Sequence, residues 1–230
     1  MLAEEGAQEE TVVAYLDGIV NTVLVKDVLA RNPRGNASLV RGLAEFLVDT
    51  SGSLVSVKKI ADTLTSAGLK TTSDTVVGYL DSLTSAFLFY QCSRFDVVGR
   101  KYLAHPVKYY PVDPGLRRSL IGTKRVDRGH RLEQVVYMEL IRRGYAVFVG
   151  AAHGSEVDFV ATRDGVTTYV QVTQLLSDAA VYNREIAPLA AITDNYRKII
   201  LTEEPGSSND NGIEIINVAD WLIEAGEPMR

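Results

Sequence analysis

Two carboxylates in a short extended run are the side chains best placed to carry chemistry. Glu156 and Asp158 alternate with Val157 and Phe159 in the run EVDFVA, and successive side chains of a strand point to opposite faces. We therefore expect the two acids to share one face while the apolar pair points into the core. Glu133, from a predicted helix, could approach the same place, which makes Asp158, Glu133 and Glu156 the candidate ligands of Mg²⁺ or Mn²⁺. Carboxylates grouped in this way hold divalent ions, which polarise a phosphodiester and generate hydroxide from bound water.

The next strand-like run, TTYVQV, supplies the other half of the candidate site. The helix, three strands, helix and strand predicted after residue 126 resemble the PD-(D/E)XK nuclease fold, in which a bent hairpin presents acids for Mg²⁺. That pattern requires an acid two residues before a lysine on the third strand, and Tyr169 and Gln171 occupy these positions. Tyrosine supplies no carboxylate and glutamine supplies no positive charge. We therefore expect a degenerate catalytic set of Glu133, Asp158 and Gln171, retained for binding or, alternatively, cleaving on the remaining carboxylates.

Basic residues concentrate in the middle of an otherwise acidic chain. Positions 94 to 131 hold ten Lys or Arg and three Asp, whereas the whole chain has a formal net charge of −5. Such a segment either coats a solvated face or forms an anion-binding surface. If it binds nucleic acid, we expect phosphate contacts without sequence preference. The candidate nucleic-acid-binding residues are Arg94, Arg100, Lys101, Lys108, Arg117, Arg118, Lys124 and Arg125.

Several other kinds of site find no support in the sequence. The three histidines have no metal-ligand spacing, no GxSxG nucleophile motif occurs, and Cys92 is the only cysteine. The string nearest to an ATP-binding loop, GLKTTSD at 68–74, lacks the glycine spacing that cradles phosphates, so the chain should not hydrolyse ATP. The first residues do not have the pattern of a signal peptide, so none is expected, and no apolar run is long enough to span a bilayer. Together with the single cysteine, these features predict a cytoplasmic protein without a membrane partner.

The N-terminal part of the chain has helical patterns. Apolar residues recur at helical spacing over 11–31, and the pattern stops at Pro33 and Gly35, so a helix and a linker are expected within 1–35. Three more helices are predicted after the linker. The residues that could cap them are Asn36 or Ser38, Ser56, and Ser73.

A hairpin is predicted after these helices. The stretch 87–113 is rich in β-branched and aromatic residues and is interrupted at Gly99. Three helices and a hairpin are the order of a winged-helix domain, which we expect over 36–125. The helix in the recognition position carries Asp74 and Asp81 but no Arg, Lys, Gln or Asn, so it lacks the residues that read bases. Any DNA contact would therefore come from the basic wing.

The second module, over 126–230, alternates helical and strand-like patterns. A chain of 230 residues is long enough for two such modules, each with its own core. The predicted elements are a helix at 130–143, strands at 145–149, 156–161 and 167–172, a helix from Asp178 to about 195, and strands at 198–202 and 213–218. The chain is therefore predicted to be α/β (α+β), with a restriction-endonuclease-like αβββαβ order in its second module.

Several strings along the chain are specific enough to suggest relatives. They are VKDVLAR, DTVVGYLDSLTSAFL, RFDVVGRKYL, KYYPVDPGLR, GHRLEQVVYMELIRRGYAVFVG, EVDFVA, TYVQV and DNYRKIILTEE. In this order they resemble the prokaryotic AAA-type ATP-binding proteins that end in a domain of unknown function, from about residue 11 to the C-terminus. The resemblance implies that a P-loop ATPase precedes the tail in that family, that residues 11–31 correspond to the last helix of its lid, and that glutamine is common at the position of Gln171.

Three functions remain open at this level. The first is a non-catalytic tail of an AAA-type ATPase family protein that binds DNA, another nucleic acid, an ATPase domain or a protein partner, with no cofactor. The second is a divalent-metal-dependent DNA nuclease that uses Glu133 and Asp158. The third is a purely protein-binding regulatory module.

Overall fold

The chain folds into helices and one mixed sheet. The computed structural model describes residues 2–32, 35–122 and 128–224. The α-helices within these residues are α1 (Leu2–Thr22), α2 (Ala37–Asp49), α3 (Val57–Ser66), α4 (Ser73–Ser85), α5 (Gly115–Ile121), α6 (Arg128–Arg142), α7 (Ala179–Ala190) and α8 (Val218–Ile223). The strands are β1 (Phe89–Asp96), β2 (Lys101–Pro111), β3 (Ala146–Ala152), β4 (Ser155–Arg163), β5 (Val166–Thr173), β6 (Arg197–Thr202), β7 (Ser207–Asp210) and β8 (Ile213–Asn217). The predicted α/β class is confirmed.

Two compact units make up the chain, and each consists of two stretches of sequence. The first unit comprises Met1–Gln91 and Lys108–Val126, and the second comprises Cys92–Val107 and Asp127–Arg230. This division differs from the predicted domains, because residues 1–35 group with the first unit and the outer part of the hairpin groups with the second. The hairpin is therefore shared, with its ends in the first unit and its tip in the second.

In the first unit, side-chain caps set where the helices begin. Asn36 and Ser56 each accept the backbone N–H three residues further on, at 3.2 Å, as predicted. The cap of α4 is Thr72, whose hydroxyl accepts the Thr75 N–H at 3.3 Å. The predicted cap, Ser73, is wrong because this residue is already the first residue of the helix.

Two further helical segments of the first unit differ from the prediction. α1 begins at Leu2 rather than near residue 11, and a π-helical segment, Val23–Leu29, continues it. α5 occupies a stretch predicted to be a connection. The apolar stripes of α2, α3 and α4 form the core as expected. Their buried residues include Leu39, Leu43, Leu47, Ile60, Leu64, Val76, Leu80 and Leu83.

The second unit is built on the sheet. Across the described residues the sheet has eight strands, in the order β2-β1-β3-β4-β5-β6-β8-β7. β1 runs parallel to β3, β4 runs antiparallel to its two neighbours β3 and β5, and β5, β6 and β8 are parallel. β7 pairs antiparallel with β8 and is missing from the prediction, because its sequence SSND has low β-propensity.

Two helices cover opposite faces of this sheet. Tyr137 of α6 contacts Phe159 of β4, with ring centroids 5.8 Å apart. Val160, the next residue of β4, belongs instead to a buried cluster with Leu189 of α7. Since successive strand residues face opposite ways, α6 covers the face that carries Phe159 and α7 covers the face that carries Val160.

The end of α7 differs from the prediction by about five residues. The helix starts at the predicted cap, because Asp178 accepts the N–H groups of Ala180 and Val181. It stops at Ala190 rather than near residue 195, two residues after Pro188. The order of the elements agrees with a winged helix followed by αβββαβ, and assignment to those named folds stays a prediction.

Candidate functional site

An open hollow of about 560 Å³ lies beside β4, β5 and α7. Its lining residues are Ser155, Glu156, Asp158, Gln171, Val172, Arg184, Glu185, Ala187 and Pro188. The structure thus brings together three of the residues predicted from the sequence, which are Glu156, Asp158 and Gln171. Arg184 and Glu185 are additional members that the sequence prediction lacks.

A bulge in β4 shapes the wall of this hollow. Phe148 of β3 lies opposite Val160, but Gly150, two residues later, lies opposite Val157, so three steps along β4 match two along β3. Val157 and Val160 consequently pack into the same buried cluster. The prediction that Val157 shares a face with Phe159 is wrong, because the extra residue breaks the alternation.

Asp158 and Gln171 bridge the two strands where the β4–β5 pairing stops. The register runs as far as Phe159 opposite Val170. Beyond that pair, the Asp158 N–H donates to Gln171 Oε1 at 3.2 Å, and the Val172 N–H donates to Asp158 Oδ2 at 2.8 Å. The two side chains therefore accept from backbone groups that a continued ladder would have paired.

Glu185 completes a hydrogen-bonded network in the hollow. Gln171 Nε2 donates to Glu185 Oε2 at 2.8 Å, and the Arg184 guanidinium donates to Glu185 Oε1 at 3.0 and 2.7 Å. Glu185 is 6% exposed and Gln171 is 8% exposed, so this carboxylate and amide satisfy each other out of solvent. The sequence did carry a signal for Glu185, because helical spacing places it on the same stripe of α7 as Tyr182 and Leu189.

Glu133 does not belong to this group. It is buried on α6, which covers the opposite face of the sheet, and it does not line the hollow. In the part of the chain that the structure describes, no three His, Cys, Asp or Glu side chains are grouped so that they could hold a metal ion. Glu133, Asp158 and Glu156 therefore do not form the predicted three-carboxylate set, because the sheet separates the first from the other two.

Tyr169 lies near the site in sequence but takes part in a different contact. Its ring is 3% exposed, and its hydroxyl donates to Asp194 Oδ2 at 2.7 Å. Burial, together with this hydrogen bond and the negative charge of Asp194, raises the pKa of Tyr169 well above its ordinary value. The phenol is a fixed neutral donor, so it does not replace the acid of the nuclease pattern.

The predicted basic residues divide between the two units. Arg100 and Lys101, at the tip of the hairpin in the second unit, are exposed, and Arg94 is half-buried. In the first unit, Arg118 is half-buried and Arg117 donates to the Val48 carbonyl at 3.0 Å. Lys124 and Arg125 lie outside the described residues.

Lys108 has to be removed from the predicted nucleic-acid surface. Its side chain is only 2% exposed, because the second half of β2 is buried on both faces. A phosphate cannot reach an ammonium group in that position. Arg117 is also a poor candidate, since its side chain is 17% exposed and forms an ion pair with Asp49 at 3.4 Å.

Comparison with known proteins identifies two relatives, and both are themselves uncharacterised. The chain is 38% identical over 225 residues to an uncharacterised protein of Haemophilus influenzae, covering 97% of this chain and 54% of that protein. It is 28% identical over 239 residues to the uncharacterised protein MJ1544 of Methanocaldococcus jannaschii, covering 97% of this chain and 50% of that one. The chain thus spans about half the length of these curated relatives. No solved structure matches it.

Two further findings concern membrane-spanning segments and the protein family. None of the helices within residues 2–32, 35–122 and 128–224 has both the length and the apolar character needed to cross a bilayer. Residues 2–127 match the family described as Domain of unknown function (DUF8612). This match takes in more than half of the 230 residues. The chain therefore belongs to the DUF8612 family.

Proposed function

We propose that the chain is a non-catalytic binding module that contacts the phosphates of nucleic acid, as the tail of an AAA-type ATPase family protein. The observation that carries the non-catalytic part is the network in the hollow. Gln171 holds the position that a catalytic lysine would need, and both ends of its amide are already bonded, to Asp158 and to Glu185. The side chains of Asp158, Gln171 and Glu185 are engaged in hydrogen bonds that hold β4, β5 and α7 together.

The binding part of the proposal is supported by the tip of the hairpin. Arg100 and Lys101 are adjacent and exposed, in a protein whose formal net charge is −5. Two neighbouring cations on an exposed turn can follow a phosphate backbone without reading bases. α4, whose side chains include Asp74 and Asp81, offers no comparable charge.

A double substitution at the tip tests this proposal. We expect Arg100→Ala with Lys101→Ala to weaken binding to DNA and to make it less dependent on salt. The slope of log K against log salt should become shallower by about 0.7–0.9 for each phosphate that the protein no longer neutralises. Fluorescence anisotropy with labelled single- and double-stranded DNA at about 50 and about 200 mM salt measures both quantities.

A matched control uses two other exposed lysines. Lys58 and Lys59 on α3 are adjacent, exposed and outside the hairpin, so Lys58→Ala with Lys59→Ala removes a similar charge. Equal loss of affinity in both double variants would show that only net charge matters. If the unsubstituted chain failed to bind DNA at the lower salt concentration, nucleic-acid binding would be excluded and a protein partner would be sought by pull-down.

Metal-dependent cleavage is a second candidate, favoured by one observation. Glu156, Asp158 and Glu185 all line the same open hollow, although no three acidic side chains among the described residues are grouped closely enough to hold a metal ion as they stand. Incubation of the chain with DNA and Mn²⁺, beside Asp158→Ala, decides between the two proposals. Cleavage by the unsubstituted chain that disappears in Asp158→Ala would overturn the non-catalytic proposal, whereas equal digestion by both proteins would indicate a contaminant.

A further inference from the structure

A second cavity, of about 210 Å³, lies in the second unit, and five of its eleven lining residues are aromatic. The aromatic residues are Phe95, Tyr102, Phe148, Tyr169 and Tyr196. Val97 and Val160 add a buried apolar surface. The cavity is smaller than the roughly 300–1,000 Å³ of typical pockets for drug-sized ligands. It therefore suits a single planar ring system.

The rings occur as two groups. Tyr102 lies 5.4 Å from Phe95 and 5.0 Å from Phe148, measured between ring centroids, and Tyr169 lies 6.3 Å from Tyr196. The first group comes from β1, β2 and β3, whereas Tyr169 belongs to β5, so the order of the sheet places β4 between the groups. A flat ligand lying over β4 would meet aromatic surface on two sides.

Two of these rings are open to solvent. Tyr102 is 70% exposed and Tyr196 is 42% exposed. Exposed rings grouped with other rings beside a cavity form an apolar patch, and such patches mark binding sites more often than isolated exposed residues do. Their faces are available to stack on an incoming ring.

Charged and polar groups line the same cavity. The exposed Arg100 contributes a cation. Asp194 is held in place by accepting the Tyr169 hydroxyl at 2.7 Å and the Tyr196 N–H at 3.1 Å, and its carboxylate can accept further N–H groups. A nucleotide has the complementary set, which is a planar base with N–H donors and an anionic phosphate joined to that base through the sugar.

We propose that this cavity receives one unpaired nucleobase, which stacks on Tyr102 and Tyr196 while Arg100 contacts the adjoining phosphate. This inference rests on the proposed binding of nucleic acid and adds its substrate class, a single strand. Stacking is tolerant of sequence because every base has a π face. An aromatic peptide side chain is disfavoured, since it brings no phosphate for the arginine.

The test uses a single-stranded DNA oligonucleotide of about eight nucleotides with a central 2-aminopurine, a fluorescent adenine analogue whose emission falls on stacking. We expect the chain to quench this emission. Tyr102→Ala and Tyr196→Ala should each weaken binding by about 5- to 150-fold and reduce the quenching, as loss of one stacking partner requires. Tyr102→Phe keeps the ring and should behave like the unsubstituted chain.

The outcomes separate this inference from the proposed function. If the oligonucleotide binds but both alanine variants bind as well as the unsubstituted chain, and a strand with an abasic site at the centre binds equally, the base pocket is wrong while phosphate binding stands. If neither single- nor double-stranded DNA binds at low salt, the proposed function itself fails. A free mononucleotide that binds as tightly as the strand would overturn the single strand as the source of the base. Circular dichroism of each variant checks that folding is retained.

Discussion

Gln171 makes two hydrogen bonds of opposite sense, one from each end of its amide. Its Oε1 accepts the Asp158 N–H, and its Nε2 donates to Glu185. A lysine could donate to Glu185 but could not accept from Asp158, because an ammonium group has no acceptor. Glutamine at this position is therefore suited to a structural junction between β4, β5 and α7.

Removal of the Glu185 carboxylate should destabilise the second unit. In Glu185→Ala the buried Gln171 amide loses its acceptor, and an unpaired buried donor costs about 1–3 kcal/mol. Urea denaturation followed by circular dichroism measures the change in the free energy of unfolding. Arg128→Ala is the control, because both side chains of its ion pair with Glu203 are exposed, at 73% and 38%, and surface ion pairs contribute only about 0–1 kcal/mol. Equal destabilisation in both variants would contradict the junction.

At the scale of elements, the bulge of β4 depends on a glycine in the neighbouring strand. A Cβ at Gly150 would lie 2.9 Å from Val157 Cβ and 3.2 Å from the Val157 carbonyl oxygen. These atoms belong to packed core and backbone, which have little room to move. The glycine thus allows the close approach of β3 and β4 that positions Asp158.

Two Gly→Ala substitutions should therefore have opposite effects. We expect Gly150→Ala to lower the free energy of unfolding by about 1–3 kcal/mol through overpacking. Gly18→Ala, within α1, meets no atom within 4 Å and should raise it by about 0.5–1 kcal/mol through helix propensity. Thermal and urea unfolding of the two variants measure both changes. A neutral Gly150→Ala would show that the strands can separate there without cost.

A charged cluster joins α6 to α8. Arg143 donates to Glu139 at 2.7 Å and to the Trp221 carbonyl at 2.6 Å, and its guanidinium carbon lies 4.1 Å from the centre of the Trp221 ring. Hydrogen bonds from Arg142 and Arg143 outweigh burial and lower the pKa of Glu139 below its ordinary value of 4.5. The carboxylate is therefore ionised in the folded chain to lower pH than in the unfolded chain.

This lowered pKa predicts how stability depends on pH. A carboxyl group with a depressed folded-state pKa stabilises the fold above its unfolded pKa and loses that contribution as pH falls through the folded pKa. Stability should accordingly fall on acidification below about pH 4.5, and Glu139→Gln should flatten that fall. Urea midpoints measured between about pH 7 and about pH 3.5 give the slope. The same slope in both proteins would assign the acid sensitivity to other carboxylates.

Local patterns predict the elements better than the site. Asn36, Ser56 and Asp178 cap helices as their side-chain chemistry indicates, because a cap depends on a few adjacent residues. The strand pattern also predicts that Asp158 and Gln171 share a hollow, and they do. The placement of Glu133 is wrong because it depends on which face of the sheet its helix covers, and sequence spacing carries no information about that.

At the scale of the whole molecule, the basic segment from 94 to 131 does not form one unit. Residues 92–107 group with the second unit, and the following residues up to 126 group with the first. The burial of Lys108 follows from this crossing, since β2 passes into a core at that point. A count of charges along the sequence could not reveal that Lys108 is buried.

A fragment that starts at residue 127 should associate with itself. In the full chain, residues 94–96 of β1 pair with residues 149–151 of β3. Without β1 and β2, the edge of β3 offers unpaired N–H and C=O groups to another copy. Light scattering after gel filtration, compared between fragment and full chain over a range of concentrations, tests this expectation. A fragment that gives the same association state as the full chain at every concentration would contradict it.

The interleaving of the two units has a consequence for how the family is delimited. The family match ends at residue 127, yet it includes both strands of the hairpin. In this chain β1 pairs with β3, which lies beyond that limit. The limit of sequence likeness is therefore not a structural boundary, because a cut there would leave two paired strands on different pieces of the polypeptide.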